Sequence, residues 1–319
     1  MSAHRKSMAS KTLIFGGTGF IGRHLCCHYT SIGRQATVIS RFPDVEFLEK
    51  HTSNISSLSL DDFYGNKNEY LTQAEYLIYL ASSSIPATYK NQPWMELPDN
   101  VEPAFKLFSA VVETNPSIRV VYLSSGGTIY GPGHSDPISE DARLEPISPY
   151  GYGKVVIEES LRFLGRTKNL NFAILRAANP VGIWQSNPRQ GIVAVTLSAI
   201  LKRRPITLFN HGRQVRDFFD ADDLVSAIAL AAEATDLKGK TWNIGSGKGY
   251  KICDVVALIE SITKTTVEKE IVAARDVDLD YSVLDCSAAF SDLGWRSEIG
   301  LGESIRHIWN RISGSHTTR

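Results

Sequence analysis

A short glycine-rich turn near the start constrains this chain more than any other feature. Residues 11–15 (KTLIF) form a continuous apolar run of strand length, residues 16–22 read GGTGFIG, and the helical pattern RHLCCHY follows at once. Glycine at the first, fourth and seventh positions lets backbone N–H groups approach an anion and lets the helix pack down on the strand. The anion then sits at the positive helix N-terminus. Gly16, Thr18, Gly19, Phe20, Ile21 and Gly22 are therefore expected to cradle the pyrophosphate of a dinucleotide. The plainer alternative is a structural strand-to-helix turn with no ligand.

The rest of the chain continues the strand–helix rhythm. Residues 35–39, 76–80, 119–123 and 172–175 are apolar runs without polar alternation, as strands of a parallel sheet covered on both faces must be. Between them, Val101, Phe105, Phe108 and Val112 recur at helical spacing, as do Val156, Ile157, Leu161 and Leu164. The expected fold is α/β: a doubly wound parallel-sheet Rossmann fold with a smaller C-terminal α/β substrate domain. The 319 residues are about twice the ~150 expected of one domain. After residue 176 the character changes, with a Pro- and Gly-punctuated loop at 179–191, a helix ending in the basic run 202–204 and then Pro205. Residues 222–234 read as a helix and 241–244 as one more strand. This predicts a dinucleotide-binding domain over 11–178, continued by 217–247, and a substrate-binding domain from 179–216 and 248–319.

Lys+Arg and Asp+Glu both number 34, so the net charge is zero. Such a balance gives no footprint for nucleic acid or an anionic membrane, and a small substrate is expected. The longest apolar stretch, 191–201, is broken by Thr196 and Ser198 and falls short of the roughly 20 residues a membrane span needs. The N-terminal MSAHRKSMAS has no apolar signal core. Four cysteines without a CxxC pair make no disulfide framework. A reduced, cytoplasmic protein is expected. His24 and His28 beside Cys26 and Cys27 have superficial metal spacing, but they fall on the helix behind the glycine turn, and no metal is expected.

The end of the second strand should read the adenosine ribose. An acidic residue there accepts from the 2′-hydroxyl of NAD, and an arginine accommodates the 2′-phosphate of NADP. This chain has Ser40 and Arg41. Local chemistry leans to NADP; the alternative is a solvated arginine, with Asp44 turning in toward the ribose.

Tyr150 and Lys154, four apart in SPYGYGK, fall on one helical face. A free tyrosine is a poor base near neutral pH, with a pKa of about 10. A neighbouring ammonium is expected to lower it, giving a phenol that exchanges a proton during hydride transfer. Tyr152 lacks a lysine at that offset.

These features together resemble the extended short-chain dehydrogenase/reductases, the superfamily that includes the UDP-glucose 4-epimerases. The matching stretches are GGTGFIG, LSSGGTIYG at 123–131, the Tyr150/Lys154 pair, Arg176 with Asn179-Pro180, QVRDF at 214–218, NIGSG at 243–247 and LGW at 293–295. The resemblance implies that Lys154 also binds the nicotinamide ribose and that Tyr150 works on a sugar hydroxyl. It implies cofactor contacts at Ser40, Arg41, Ala81 and Asn100, although Asn100 could simply cap the following helix. A helping Ser or Thr is usual four residues before the Tyr of the YG pair. Here that position is Gly126, which leaves Ser125 as the favoured substitute, with Ser124 and Thr128 as alternatives. Asn179, Arg216 and Arg275 fall where the family contacts a nucleotide-sugar diphosphate, unless the arginines merely pair with Asp217 and Asp276. The acidic pair of a dehydratase is replaced by Gly127 and Thr128. The expected activity is 4-epimerisation of a nucleotide-diphosphate sugar with NAD or NADP, with an NADPH-dependent 4-ketoreductase as the alternative and a catalytically silent dinucleotide-binding module behind both. Family members commonly form homodimers through a four-helix contact that includes the tyrosine-bearing helix.

Overall fold

A computed structural model of the chain describes residues 12–185, 191–234, 237–274 and 278–314. Its strands, in chain order, begin with β1 (Thr12–Phe15), β2 (Ala36–Ser40), β3 (Ile55–Ser59), β4 (Tyr76–Tyr79), β5 (Arg119–Ser125) and β6 (Asn171–Ala177). There follow β7 (Asn179–Val181), β8 (Ile206–Phe209), β9 (Val215–Asp220), β10 (Lys240–Ile244), β11 (Gly249–Lys251), β12 (Lys269–Val272) and β13 (Tyr281–Ser282). A seven-stranded sheet runs β10-β6-β5-β4-β1-β2-β3, every pairing parallel. The winding reverses beside β1, with β2 and β3 on one side and β4, β5, β6 and β10 on the other. In sheets of this kind the crevice at the carboxyl ends beside the reversal is where ligands sit.

Alternate residues of each strand feed two separate cores, which is why the runs are apolar throughout. Leu13, Phe15, Leu77, Tyr79, Val120, Tyr122 and Ile174 face the helices Glu102–Thr114 and Pro149–Lys168. Ile14, Val38, Ile78, Val121, Ala173 and Leu175 face the helices Phe20–Ser31 and Ala221–Glu233.

The strand β3 has no counterpart among the expected strands: its sequence, ISSLS, is half polar, and it lies at the sheet edge. The helix Glu102–Thr114 buries Ala104, Leu107, Phe108 and Val111, while Phe105 of the expected stripe is 37% exposed. Both stripes have helical spacing in this apolar stretch, and packing against the sheet selects the one that includes the small Ala104.

The remaining strands form smaller sheets. β9 pairs with β7, β11 and β13, and β8 pairs with β12. Helices Ile192–Lys202, Ile252–Thr263 and Leu301–Gly314 enclose a third core of Val193, Leu197, Val255, Ile259, Ile305 and Ile308. The expected changeover at 216/217 falls inside β9, where Arg216 pairs with Tyr250 and Phe218 with Asn179. No helix among the described residues is long and apolar enough to cross a membrane.

Candidate active site

The glycine turn connects β1 to the helix Phe20–Ser31. Its N-cap is Gly19, no side chain caps it and no acidic residue occupies its first turn, so its leading N–H groups are free to meet an anion. The turn is compressed. Gly16 has φ +84°, and a Cβ there would stand 2.8 Å from the Ala81 nitrogen. At Gly22 a Cβ would stand 2.4 Å from the Gly16 carbonyl oxygen. Only glycine permits this approach. The cradle fits a pyrophosphate, bounded by the turn and by Ala81 at the exit of β4. The Thr18 carbonyl accepts from Arg23 Nε at 3.0 Å, Phe20 meets His24 edge-on, and Ile21 packs partly buried on the core.

At the end of β2, the Ser40 hydroxyl is buried without a hydrogen-bond partner and Arg41 is exposed. Asp44 does not turn in. It caps the helix Val45–His51 by accepting from the Phe47 N–H at 3.0 Å, and it forms an ion pair with Arg23.

The tyrosine helix Pro149–Lys168 starts where its sequence says it should. Ser148 accepts from the Gly151 N–H at 3.1 Å and Pro149 occupies the first turn. Tyr150 and Lys154 lie one turn apart, with Lys154 Nζ 5.5 Å from the Tyr150 ring centre and 5.1 Å from that of Tyr122. Lys154 is buried and donates to the Leu123 carbonyl at 3.0 Å. The expected lowering of the phenol is not what this geometry gives. Burial pushes Tyr150 up to about 12, with a hydrogen bond from Ser125 acting against it. Burial likewise pushes Lys154 down to about 8, and Glu96 and Glu158 pull it back up. A desolvated ammonium turned to a carbonyl is too compromised to dominate its neighbour.

Of the three candidate hydroxyls, Ser125 is the one that acts on the phenol. Ser124 points elsewhere, donating to Glu158 at 2.6 Å in the buried interior. Thr128 donates to the Ser125 carbonyl at 3.4 Å. Gly126 has no room for a side chain, since a Cβ there would stand 2.5 Å from Leu284 Cδ1.

Asn100 does not cap a helix. It accepts from the Ser83 N–H at 2.7 Å and donates to the Ser84 hydroxyl at 3.1 Å, tying the loop after β4. Ser84 in turn donates to Glu96 at 2.9 Å. Glu96 and Glu158 carried no motif signal. Glu158 is fully buried, held by Arg176 at 2.7 Å and Arg162 at 3.2 Å. Arg176 also donates to the Tyr130 hydroxyl at 3.0 Å, and Tyr130 to Asn243 at 2.6 Å.

Asn179 donates to the Asp217 carbonyl at 3.0 Å. Arg216 lies on β9 and donates to the Val215 carbonyl at 2.9 Å. Asp217 is turned the other way, accepting from Ser246 at 2.6 Å and from the Gly247 N–H at 3.1 Å. Its carboxylate therefore serves the turn at 246–247. Arg275 lies outside the described residues. His24, set aside as a metal ligand, meets Asp222 at 2.6 Å.

A parallel sheet with a dinucleotide turn and a Tyr–Lys helix at its carboxyl edge defines an extended short-chain dehydrogenase/reductase. Residues 12–245 match the model of the NAD dependent epimerase/dehydratase family, and the chain belongs to that family. Among its relatives is a putative UDP-glucose 4-epimerase of Methanocaldococcus jannaschii, 26% identical over 96% of this chain and 99% of that protein. Another is the dTDP-4-dehydro-6-deoxyglucose reductase of Escherichia coli, 29% identical over 94% of this chain and 96% of that one. The structure of the Thermotoga maritima UDP-glucose 4-epimerase with UDP-glucose superposes with a TM-score of 0.85 at 28% identity, covering 96% of this chain and 99% of that one.

Proposed function

We propose that this chain is a UDP-sugar 4-epimerase that binds NAD and interconverts C4 epimers through a transient 4-keto sugar, with Tyr150 as the acid/base. The observation that carries this reading is the joining of Ser125, Tyr150 and Lys154 at the end of β5, on the same carboxyl edge of the parallel sheet as the glycine turn that follows β1. Bound NAD supplies hydride acceptance and return. The chain's own residues handle the proton. Tyr150 takes it from the C4 hydroxyl and gives it back to the ketone oxygen. Ser125 works against the burial of the phenolate, and Lys154 binds the nicotinamide ribose. Asn179, Arg216 and Arg275 bind the diphosphate, arginine because its fork pairs two oxygens at once. Asn100 orders the loop beside Ala81. The relatives of M. jannaschii and T. maritima support the UDP-sugar class.

Phe105 and Phe163 meet edge-on, 6.4 Å apart, and Phe163 is 48% exposed on the outer face of the tyrosine helix. That face suits a homodimer contact with a second copy. Four cysteines with no CxxC pair suit a reducing cytoplasm.

A second reading, an NADPH-dependent 4-ketoreductase, is favoured by one observation. Arg41 stands exposed after β2 while Asp44 is committed to Arg23, and the E. coli relative is a reductase. Denaturing the pure protein and assaying the supernatant for released dinucleotide, then incubating the intact protein with UDP-glucose alone, separates the two. Bound NAD and formation of UDP-galactose are expected. An empty protein that oxidises NADPH with a 4-keto sugar nucleotide replaces the epimerase with the reductase.

A further inference from the structure

Glu96 sits in the turn before the helix Glu102–Thr114 and is 2% exposed. One oxygen, Oε1, accepts from Ser84 at 2.9 Å, and the other, Oε2, is buried with no hydrogen-bond partner. The carboxylate packs against the tyrosine helix beside Lys154, since a Cβ on Gly153 would stand 2.7 Å from Oε1. A buried carboxylate with an unpartnered oxygen is costly, and a cation nearby offsets part of that cost.

Two carboxylates reach Lys154 electrostatically, Glu96 and Glu158. Glu158 is already shared by two arginines, with Arg176 at 2.7 Å and Arg162 at 3.2 Å. Its pull on Lys154 is the smaller of the two. The other groups facing Glu96 are Asp99 on its own turn, Tyr89, Tyr122 on β5 and Tyr150. None of these is a cation; Lys154, next to Gly153 on the helix that Glu96 packs against, is the cation that acts on it.

We propose that Glu96 is a positioning residue whose carboxylate keeps the Lys154 ammonium charged inside the protein, acting on the reaction through that lysine. The Ser83–Asn100–Ser84 chain of hydrogen bonds holds it in place. The proposal deepens the Tyr150–Lys154 reading and rests on it for its catalytic meaning only. Burial pushes the Glu96 carboxyl up, while Ser84 and Lys154 pull it back.

The test follows the Lys154 side chain by NMR in protein carrying 13Cε-labelled lysine with NAD present. The Lys154 signal is identified by its loss in Lys154→Met. In Glu96→Gln, which keeps a side-chain acceptor for the Ser84 hydroxyl, the Lys154 midpoint is expected to fall by about one pH unit or more. Glu96→Asp, which keeps the charge, is expected to stay near the parent. The basic limb of the kcat–pH profile should move down with the NMR midpoint, where a merely structural residue would lower the profile without moving it. Coincident midpoints in parent and Glu96→Gln overturn the proposal. If the protein fails to interconvert UDP-sugars, the NMR result still decides the role of Glu96 separately.

Discussion

Replacing Lys154 with methionine is expected to stabilise the protein at neutral pH while disabling it. The lysine is 6% exposed, and burial takes its ammonium from the usual 10.5 down to about 8. Between pH 8 and 10.5 the unfolded chain holds a proton that the folded chain has released. The stability due to this group therefore rises with pH across that window, and its full penalty applies below pH 8. A gap of about 2.5 pH units corresponds to roughly 3 kcal/mol. Unfolding entropy of about 2.1 cal/mol/K per residue, over 319 residues, converts this to a Tm gain of roughly 4–5 °C. Methionine fills the same slot without a charge. Calorimetric melting of parent and variant at pH 7 and pH 10 measures it. The variant should melt higher at pH 7, and the two curves should converge at pH 10. A lower Tm at pH 7, or a difference that ignores pH, would refute the claim that a buried ammonium is held there against its own desolvation.

Glu158→Gln should cost about 3–5 kcal/mol, because it leaves the buried Arg176 guanidinium without its counter-charge; thermal melting shows it, and Glu158→Leu combined with Arg176→Met should recover most of the loss. Gly126→Ser, which restores the family hydroxyl, should destabilise by about 1–3 kcal/mol through the Leu284 contact and bring no gain in turnover; a stable, faster variant would show that the position is open. Gly22→Ala should abolish co-purification of dinucleotide, read by assaying the denatured supernatant, because the added methyl forces the turn apart at the Gly16 carbonyl.

Much of the architecture was legible because it rests on local rules. Continuous apolar runs demanded a sheet covered on both faces, and the glycine spacing demanded a close helix–strand approach. What escaped depends on tertiary contacts. The strand β3 is half polar and takes its conformation from pairing with β2. The buried stripe of Glu102–Thr114 was set by the sheet among nearly equivalent apolar residues. At the site, the Tyr150–Lys154 spacing named the helix face but not the burial that raises the phenol. Glu96 shares its stretch with Asp99 and Glu102, and nothing in the surrounding sequence reveals that Glu96 is the enclosed one. Several stretches that carried the resemblance serve the frame: Arg176 binds Glu158, Asn243 binds the Ile138 carbonyl at 2.8 Å, and Trp295 donates to the Asp223 carbonyl at 3.0 Å.

The most direct measurement is the rate at which Tyr150→Phe interconverts UDP-glucose and UDP-galactose, set beside UDP-glucose binding by calorimetry. Loss of the phenolic hydroxyl should lower turnover by about 10²- to 10⁴-fold with binding nearly unchanged. A variant that turns over as fast as the parent would contradict Tyr150 as the group that carries the proton.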